Sequence, residues 1–312
     1  MKLATYKDGS RDGQLVVVSR DLGWACYASG VAQRLQQVLD DWNFLCPQLQ
    51  DLYTALNSGK ARHAFAFDPA QCLAPLPRAS HWAVGNAYRG LLTAGDAPAA
   101  PVVHHAAGDS FAGACDRLPA LPGALDGEAQ LAAITADVPR AASPEQGQDA
   151  IRLLMLAASL RLREAPEHER AWPATAFSPV AVTPDELGEA WQDGRVHLTL
   201  QVRLNDRKTG MLDTGPEMAW HFGELVAAAA RLQPLGAGSV IGSGLVCNAG
   251  VEKNRHTTWP RGSGCVAERR LMEARQDGAP ATPWLQAGDA LRIEMKGRDG
   301  LSVFGAIAPS LG

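Results

Sequence analysis

The sequence predicts an α+β fold: a small N-terminal domain, then a strand-rich roll or barrel with flanking helices. Three observations predict it. Val196, Leu198, Leu200, Val202 and Leu204 alternate strictly with polar residues, the pattern of a strand with one buried face. Beyond residue 130 strand-like segments outnumber helical ones, without the regular βαβ alternation of a Rossmann fold. Pro75-Leu76-Pro77 reads as a linker that sets residues 1–75 apart as a small α/β unit, with 76–312 as the main domain.

The elements follow in order. Leu15-Val16-Val17-Val18-Ser19 reads as a strand, and Val31, Leu35, Val38, Leu39, Trp42 and Leu45 recur at helical spacing. Pro47 is expected to interrupt that helix, with the pattern resuming through Leu49, Leu52, Tyr53 and Leu56. Residues 94–125 are rich in Ala, Pro and Gly, which predicts a variable, irregular or mobile loop. Leu131–Thr135 is a strand candidate. Ser143-Pro144-Glu145-Gln146 starts a helix expected to carry Ile151, Leu154 and Met155. Thr183-Pro184-Asp185-Glu186 repeats that start with a capping-box glutamate. Met218–Leu232 reads as helical, and Ser239–Val246, Cys265–Glu273, Ala290–Lys296 and Ser302–Ile307 read as strands.

Composition narrows the function. The 312 residues carry 29 basic and 33 acidic side chains, with no basic block to recommend a nucleic-acid partner. No apolar run approaches the roughly 18–20 residues of a membrane helix. The start of the chain lacks the apolar stretch of a signal peptide, so a cytoplasmic protein is expected. Cys26, Cys46, Cys72, Cys115, Cys247 and Cys265 form no C-x-x-C pair and are expected as buried or partly buried free thiols.

Several motifs fail. Gly236-Ala237-Gly238-Ser239-Val240-Ile241 begins like a dinucleotide fingerprint but ends on Ile and precedes a strand. There is no phosphate-binding G-x-x-x-x-G-K-[ST] loop and no G-x-S-x-G elbow. His168-Glu169 lacks the second histidine of a zinc-protease motif. His104-His105 are neighbours, which on a strand point to opposite faces.

One set of segments, in order, resembles the fumarylacetoacetate hydrolase family in its bacterial form. It comprises Ile134–Pro139, Ile151–Leu156, Ala176–Gly188, Pro234–Gly244, Gly288–Lys296 and Phe304–Ile307. The resemblance implies a small N-terminal domain, a mixed β-sandwich roll and a homodimer. It also implies hydrolysis of a carbon–carbon bond in a β-diketo acid with Mg²⁺ or Ca²⁺ as electrophile. A histidine would activate water and a lysine would stabilise the departing enolate.

Residue by residue, the implied machinery is mostly replaced. Val84 stands at the first aspartate and Leu91 at the histidine. The Glu-x-Glu pair is Glu128-Ala129-Gln130, the next aspartate falls at Ser159, the lysine at Trp172, and the threonine after the Gly-Ser-Gly turn at Leu245. About a dozen residues before the lysine position read as deleted, between Arg163 and Trp172. Glu128 and Glu268 remain. With one carboxylate left of the four mapped, no metal and no cofactor are expected.

The sequence therefore predicts metal-independent acid–base chemistry on a keto acid or polyketide-like molecule: isomerisation, dehydration, retro-Claisen cleavage or cyclisation. Glu268 and Glu128 are the expected catalytic groups. Tyr88, Gln130, Trp172, Gly242, Gly244 and Leu245 are the expected substrate-binding residues, with polar groups of the 247–256 loop near them. The alternative is a non-catalytic protein that binds a small ligand or a partner. The plain roles for Trp172 and Glu268 are core packing and a structural salt bridge. A third reading retains hydrolysis through Asp109, Asp116, His104 or His105.

Overall fold

The computed structural model describes residues 1–92, 99–165, 172–253 and 256–312. Its frame is a long antiparallel hairpin of Leu125–Thr135 and Ile151–Leu162, paired from Leu125↔Leu162 to Thr135↔Ile151. Both strands are buried on both faces. Leu131, Ala133, Leu154 and Leu156 enter one core cluster. Ala132, Ile134, Leu153 and Met155 enter another. Side chains alternate across a strand, so such a hairpin needs apolar residues at nearly every position.

A large mixed sheet extends from this hairpin. On one side Ser239–Gly242 pairs with Leu125–Thr135, followed by His81–Gly85 in parallel and then Val103–Ala106. On the other side lie Ala181–Val182, Lys2–Tyr6, Gln14–Val18, Trp24–Tyr27 and Phe65–Ala66. The strands of the first seventy residues thus join the main sheet through Leu3↔Ala181. Thr175–Phe177 also pairs with Ile151–Leu162. A separate three-stranded sheet places Thr199–Leu204 between Arg207–Asp213 and Leu291–Met295. The α+β class and the mixed, strand-dominated roll are as the sequence predicts.

Four local readings are corrected. Ile151–Leu162 is a strand, and the helix that starts at the Ser143 cap covers only Pro144–Asp149. A continuous apolar run suits a buried strand and a buried helix equally well, and here the partner strand decides. Cys265–Glu273 is the reverse case. Val266–Asp277 is an α-helix with Cys265 as N-cap, ended by Gly278 at φ 85°. Good helix formers such as Glu, Arg, Leu, Met and Ala fill it. Pro47 lies inside the helix Trp42–Asn57, and the break falls earlier, at Asp41 with φ −131° and ψ 49°. Asn43, whose carbonyl loses its partner to Pro47, is exposed and can be hydrated. Finally, the 94–125 stretch contains the strands Val103–Ala106 and Arg117–Leu118. Residues 93–98 of that region lie outside the described residues, as do 166–171, including His168-Glu169, and 254–255.

Two other readings are refined. Ser302 and Ile307 make only single bridges, to Lys296 and Ile293. All six cysteines are free, but Cys115 is exposed rather than covered.

Candidate active site

Period-two geometry builds the site. Asp126, Glu128 and Gln130 are two apart on one strand, so they share a face of the hairpin. Across the ladder Asp126 pairs with Arg161, Glu128 with Ser159 and Gln130 with Ala157. Ser159 in turn faces Thr175 on the next strand, and their hydroxyls meet at 3.1 Å.

Asp126 is fully buried and saturated. Its Oδ1 accepts from the N–H groups of Gly127 at 2.8 Å and Val266 at 2.7 Å. Its Oδ2 accepts from Ala267 N–H at 3.1 Å and from Arg163 Nε at 2.9 Å. The side chain therefore holds the N-terminus of the helix Val266–Asp277, whose free N–H groups and dipole favour an anion. Arg163 continues the network, with Nη2 2.8 Å from Asp126 Oδ2 and 2.8 Å from Glu128 Oε1. The other oxygen of Glu128 accepts from Gln130 Nε2 at 3.1 Å. Burial pushes the Glu128 carboxyl upward, and the two nearby arginines oppose it.

Glu268 sits one turn into the same helix and has no exposure. Its Oε2 accepts from Gly264 N–H at 3.0 Å. Its Oε1 has no hydrogen-bond partner among the described residues. A methyl group on Gly90 would lie 3.2 Å from that oxygen, so the Gly90 backbone passes directly over it. Burial pushes the Glu268 carboxyl up to about 7, with Asp126 adding to the effect and the Gly264 bond and Arg163 opposing it. The Cys247 thiol is also driven well up by burial, and Glu268 is the first charge that adds to this.

The other expected residues have the following surroundings. Trp172 lies under Arg161, whose guanidinium is 5.2 Å from the ring centroid. Gly242 is close to Gln130, since a Cβ there would lie 3.1 Å from the amide oxygen and 2.8 Å from Trp82. Gly244, at φ +76°, lets the turn pass against the carbonyl of Gly85, where a side chain would collide. Leu245 is half-buried and reaches towards Gly264. Tyr88 is buried, with its hydroxyl donating to the Thr214 carbonyl at 2.7 Å. Of the 247–256 loop, Asn248 is used internally, bonded to both backbone groups of Asp213.

Asp126, Arg161 and Arg163 escaped the sequence reading. The signal lay in Asp126-x-Glu128-x-Gln130 and Arg161-x-Arg163, two alternating polar sets on strands otherwise apolar. It was hidden because Ile151 onward read as a helix, which gives no register against Leu125–Thr135.

Val84, at the first mapped aspartate position, is buried in a strand and packs in a core cluster. Among the described residues no group of three or more His, Cys, Asp or Glu is arranged to hold a metal ion. Asp116 is engaged by Lys7 at 2.8 Å, and His105 Nδ1 lies 2.5 Å from His81 Nε2.

Two family models match the chain. Residues 1–78 match the fumarylacetoacetase N-terminal domain 2, and residues 80–308 match the fumarylacetoacetate hydrolase C-terminal domain. The chain belongs to the fumarylacetoacetate hydrolase family. No curated protein sequence matches it. Among solved structures it is similar to maleylpyruvate hydrolase from Sphingobium sp. SYK-6 in complex with manganese(II) ion and pyruvate. That match has 18% identity and a TM-score of 0.65, covering 100% of this chain and 98% of that one. The fumarylacetoacetate hydrolase of Exiguobacterium antarcticum gives 18% identity and a TM-score of 0.66, with 100% and 99% covered. The 5-carboxymethyl-2-hydroxymuconate delta-isomerase of Mycobacterium smegmatis gives 14% and 0.60, with 100% and 98% covered. At these identities the likeness establishes the fold.

Proposed function

We propose that this member of the fumarylacetoacetate hydrolase family acts on a small keto acid by metal-independent proton transfer, with Glu268 as the group that exchanges the proton. The observation that carries the reading is the state of Glu268. It is a sealed carboxyl, anchored through Oε2 to Gly264, with Oε1 unpaired among the described residues and an acidity set near 7. A group poised at the working pH is suited to both giving and taking a proton. Glu128, Arg163 and Asp126 form a fixed charged wall beside it. Isomerisation, elimination or cyclisation of an enolisable acid is the class of reaction that such a group serves.

The residues at the family's metal positions do not fit a divalent cation. Glu128 already neutralises Arg163, Gln130 offers an amide, and Ser159 offers a hydroxyl tied to Thr175. Hard divalent cations in largely protein-built sites are held by several carboxylates. No step is assigned to a metal for this reason. The homodimer and cytoplasmic location expected from the sequence belong to the same proposal, and a single-chain mass by light scattering would remove the first.

Calorimetric titration with Mg²⁺, Mn²⁺ and Ca²⁺ is expected to show no saturable site at micromolar metal. Such a site would restore the hydrolase reading. Thermal-shift screening of β-keto acids and acylpyruvates, followed by turnover assays, should reveal an activity with a pH limb near that of Glu268. Glu268→Gln should lower it at least about 100-fold. An activity indifferent to this substitution sinks the assignment. Binding with no turnover would favour the second reading, a non-catalytic ligand-binding protein. That reading is supported by Trp172 standing where the family's lysine is expected.

A further inference from the structure

The three-stranded sheet has one face in the core and one in solvent. Leu200, Val202, Leu212, Ile293 and Met295 point into the main core cluster. Side chains alternate across a strand, so Gln201 and Arg203 of the central strand point the other way, as do Arg292, Glu294 and Lys296 of one neighbour. In the other neighbour an extra residue, Thr209, shifts the register after Val202 and brings Lys208 onto the same outer face as Met211. These side chains and Asp206 line one concavity of 530 Å³.

Register aligns the charges within it. Arg203 stands directly opposite Lys208 on one side and Arg292 on the other, so three cations lie in a row across three strands. Neighbouring strands are about 5 Å apart, and like charges directly opposite one another destabilise a sheet. The row is poorly neutralised. Arg292 has Glu294 at 3.1 Å, whereas Arg203, Lys208 and Lys296 have no ion pair among the described residues. With Glu294 and Asp206 set against the four cations, the concavity keeps two positive charges, in a chain whose net charge is −4. A threonine or glutamine at the central position would suit an exposed strand without repulsion. An anion seated across the row turns that repulsion into attraction.

We propose that this face binds the diphosphate group of a small molecule, with Arg203 at the centre of the contact and Lys208, Arg292 and Lys296 around it. A guanidinium donates in pairs to phosphate oxygens, and an ammonium adds a compact charge. Gln201 can donate its amide hydrogens, and half-buried Met211 offers an apolar surface beside them. None of these residues belongs to the candidate active site, so the proposal stands apart from the acid–base reading.

The probe is inorganic pyrophosphate, titrated into the ¹⁵N-labelled full chain at low ionic strength, with ADP as a second probe and sodium chloride of matched ionic strength as the control. Backbone amide resonances of Thr199–Leu204 and Leu291–Met295 should move saturably with pyrophosphate and not with sodium chloride. Arg203→Gln should weaken binding about tenfold or more, and Arg203→Lys, which keeps the charge but loses the fork, should fall between. Lys60→Gln, at an exposed lysine that does not line the concavity, should leave binding unchanged. Without ligand, Arg203→Gln should melt about 1 °C or more above the parent at low salt, because it breaks the repulsive row, and it should lose the rise that pyrophosphate gives the parent. Pyrophosphate that moves no amide of this face at tens of millimolar, or binds Arg203→Gln as well as the parent, overturns the site. A response that sodium chloride reproduces does the same, and a lower melting temperature for unliganded Arg203→Gln removes the premise of repulsion. Where the site holds, ADP binding no tighter than pyrophosphate assigns it to the free anion, and tighter ADP binding assigns it to a phosphorylated organic molecule.

Discussion

A carboxyl group cut off from water, with one backbone N–H as its only donor among the described residues, keeps its proton to higher pH than a free one. Glu268 is such a group, moved by burial from an ordinary 4.5 to about 7. The folded protein therefore retains a proton that the unfolded chain releases between those values. The stabilisation this provides is complete below pH 4.5 and is lost as pH rises through 7. Glu268→Gln mimics the protonated form and can still accept from Gly264. The variant should match the parent in stability near about pH 5 and exceed it near about pH 8, by at most about 3 kcal/mol. Urea unfolding at the two pH values checks this, and an equal difference at both would show that Glu268 carries no displaced proton. At this scale the sequence was informative where family positions guided it. Glu128 and Gln130 bond to each other on one strand face and Glu268 is buried in the helix that Asp126 caps, while Asp126, Arg161 and Arg163 needed the strand register before their faces were visible.

The helix Val266–Asp277 shows how an element depends on one residue from elsewhere. Its first two N–H groups donate to Asp126, 140 residues away for Val266, and its N-cap is a cysteine whose Sγ accepts only a long 3.4 Å bond from Glu268 N–H. Sulfur is a weak acceptor, so the carboxylate does most of the capping. Asp126→Ala would leave those donors and the Arg163 guanidinium unsatisfied in a buried place. The expected loss is about 3–5 kcal/mol, the cost of breaking a buried ion pair by removing one partner. Asp126→Asn, which keeps one acceptor, should lose less. Denaturant unfolding measures both, and a loss below about 1 kcal/mol for Asp126→Ala would refute the capping role. This tertiary cap explains why Cys265–Glu273 was misread. Cysteine is not among the usual cap residues, and the carboxylate that does the capping is on a distant strand. By contrast Thr199–Leu204 was readable because Leu200 and Val202 meet a core while Arg203 faces out, although Val196, at the head of the same alternation, belongs to a separate short strand, Arg195–Val196.

Over the whole molecule, the two family regions meet at residues 78 and 80, yet their strands lie in one sheet. Lys2–Tyr6 stands between Gln14–Val18 and Ala181–Val182, so part of its backbone bonding is supplied by the C-terminal region. Side chains cross the same seam. Lys2 Nζ donates to the Val303 carbonyl at 2.8 Å, and the Tyr53 hydroxyl donates to Glu186 at 2.8 Å. Gln36 Nε2 donates to the Ala237 carbonyl at 3.0 Å. Regions that share a sheet and buried polar bonds lose them together, which predicts one cooperative unfolding transition. A seam variant tests it. Ala181 is fully buried opposite Leu3, and Ala181→Pro removes a backbone donor and adds a ring where the two regions join. Stability should fall by about 3 kcal/mol or more, with ellipticity and tryptophan fluorescence still moving in a single step. Calorimetry gives the independent check, through equality of the calorimetric and van't Hoff enthalpies. Two resolved transitions in the unaltered protein would mean that the shared sheet does not couple the regions, and that residues 1–78 fold and unfold on their own account.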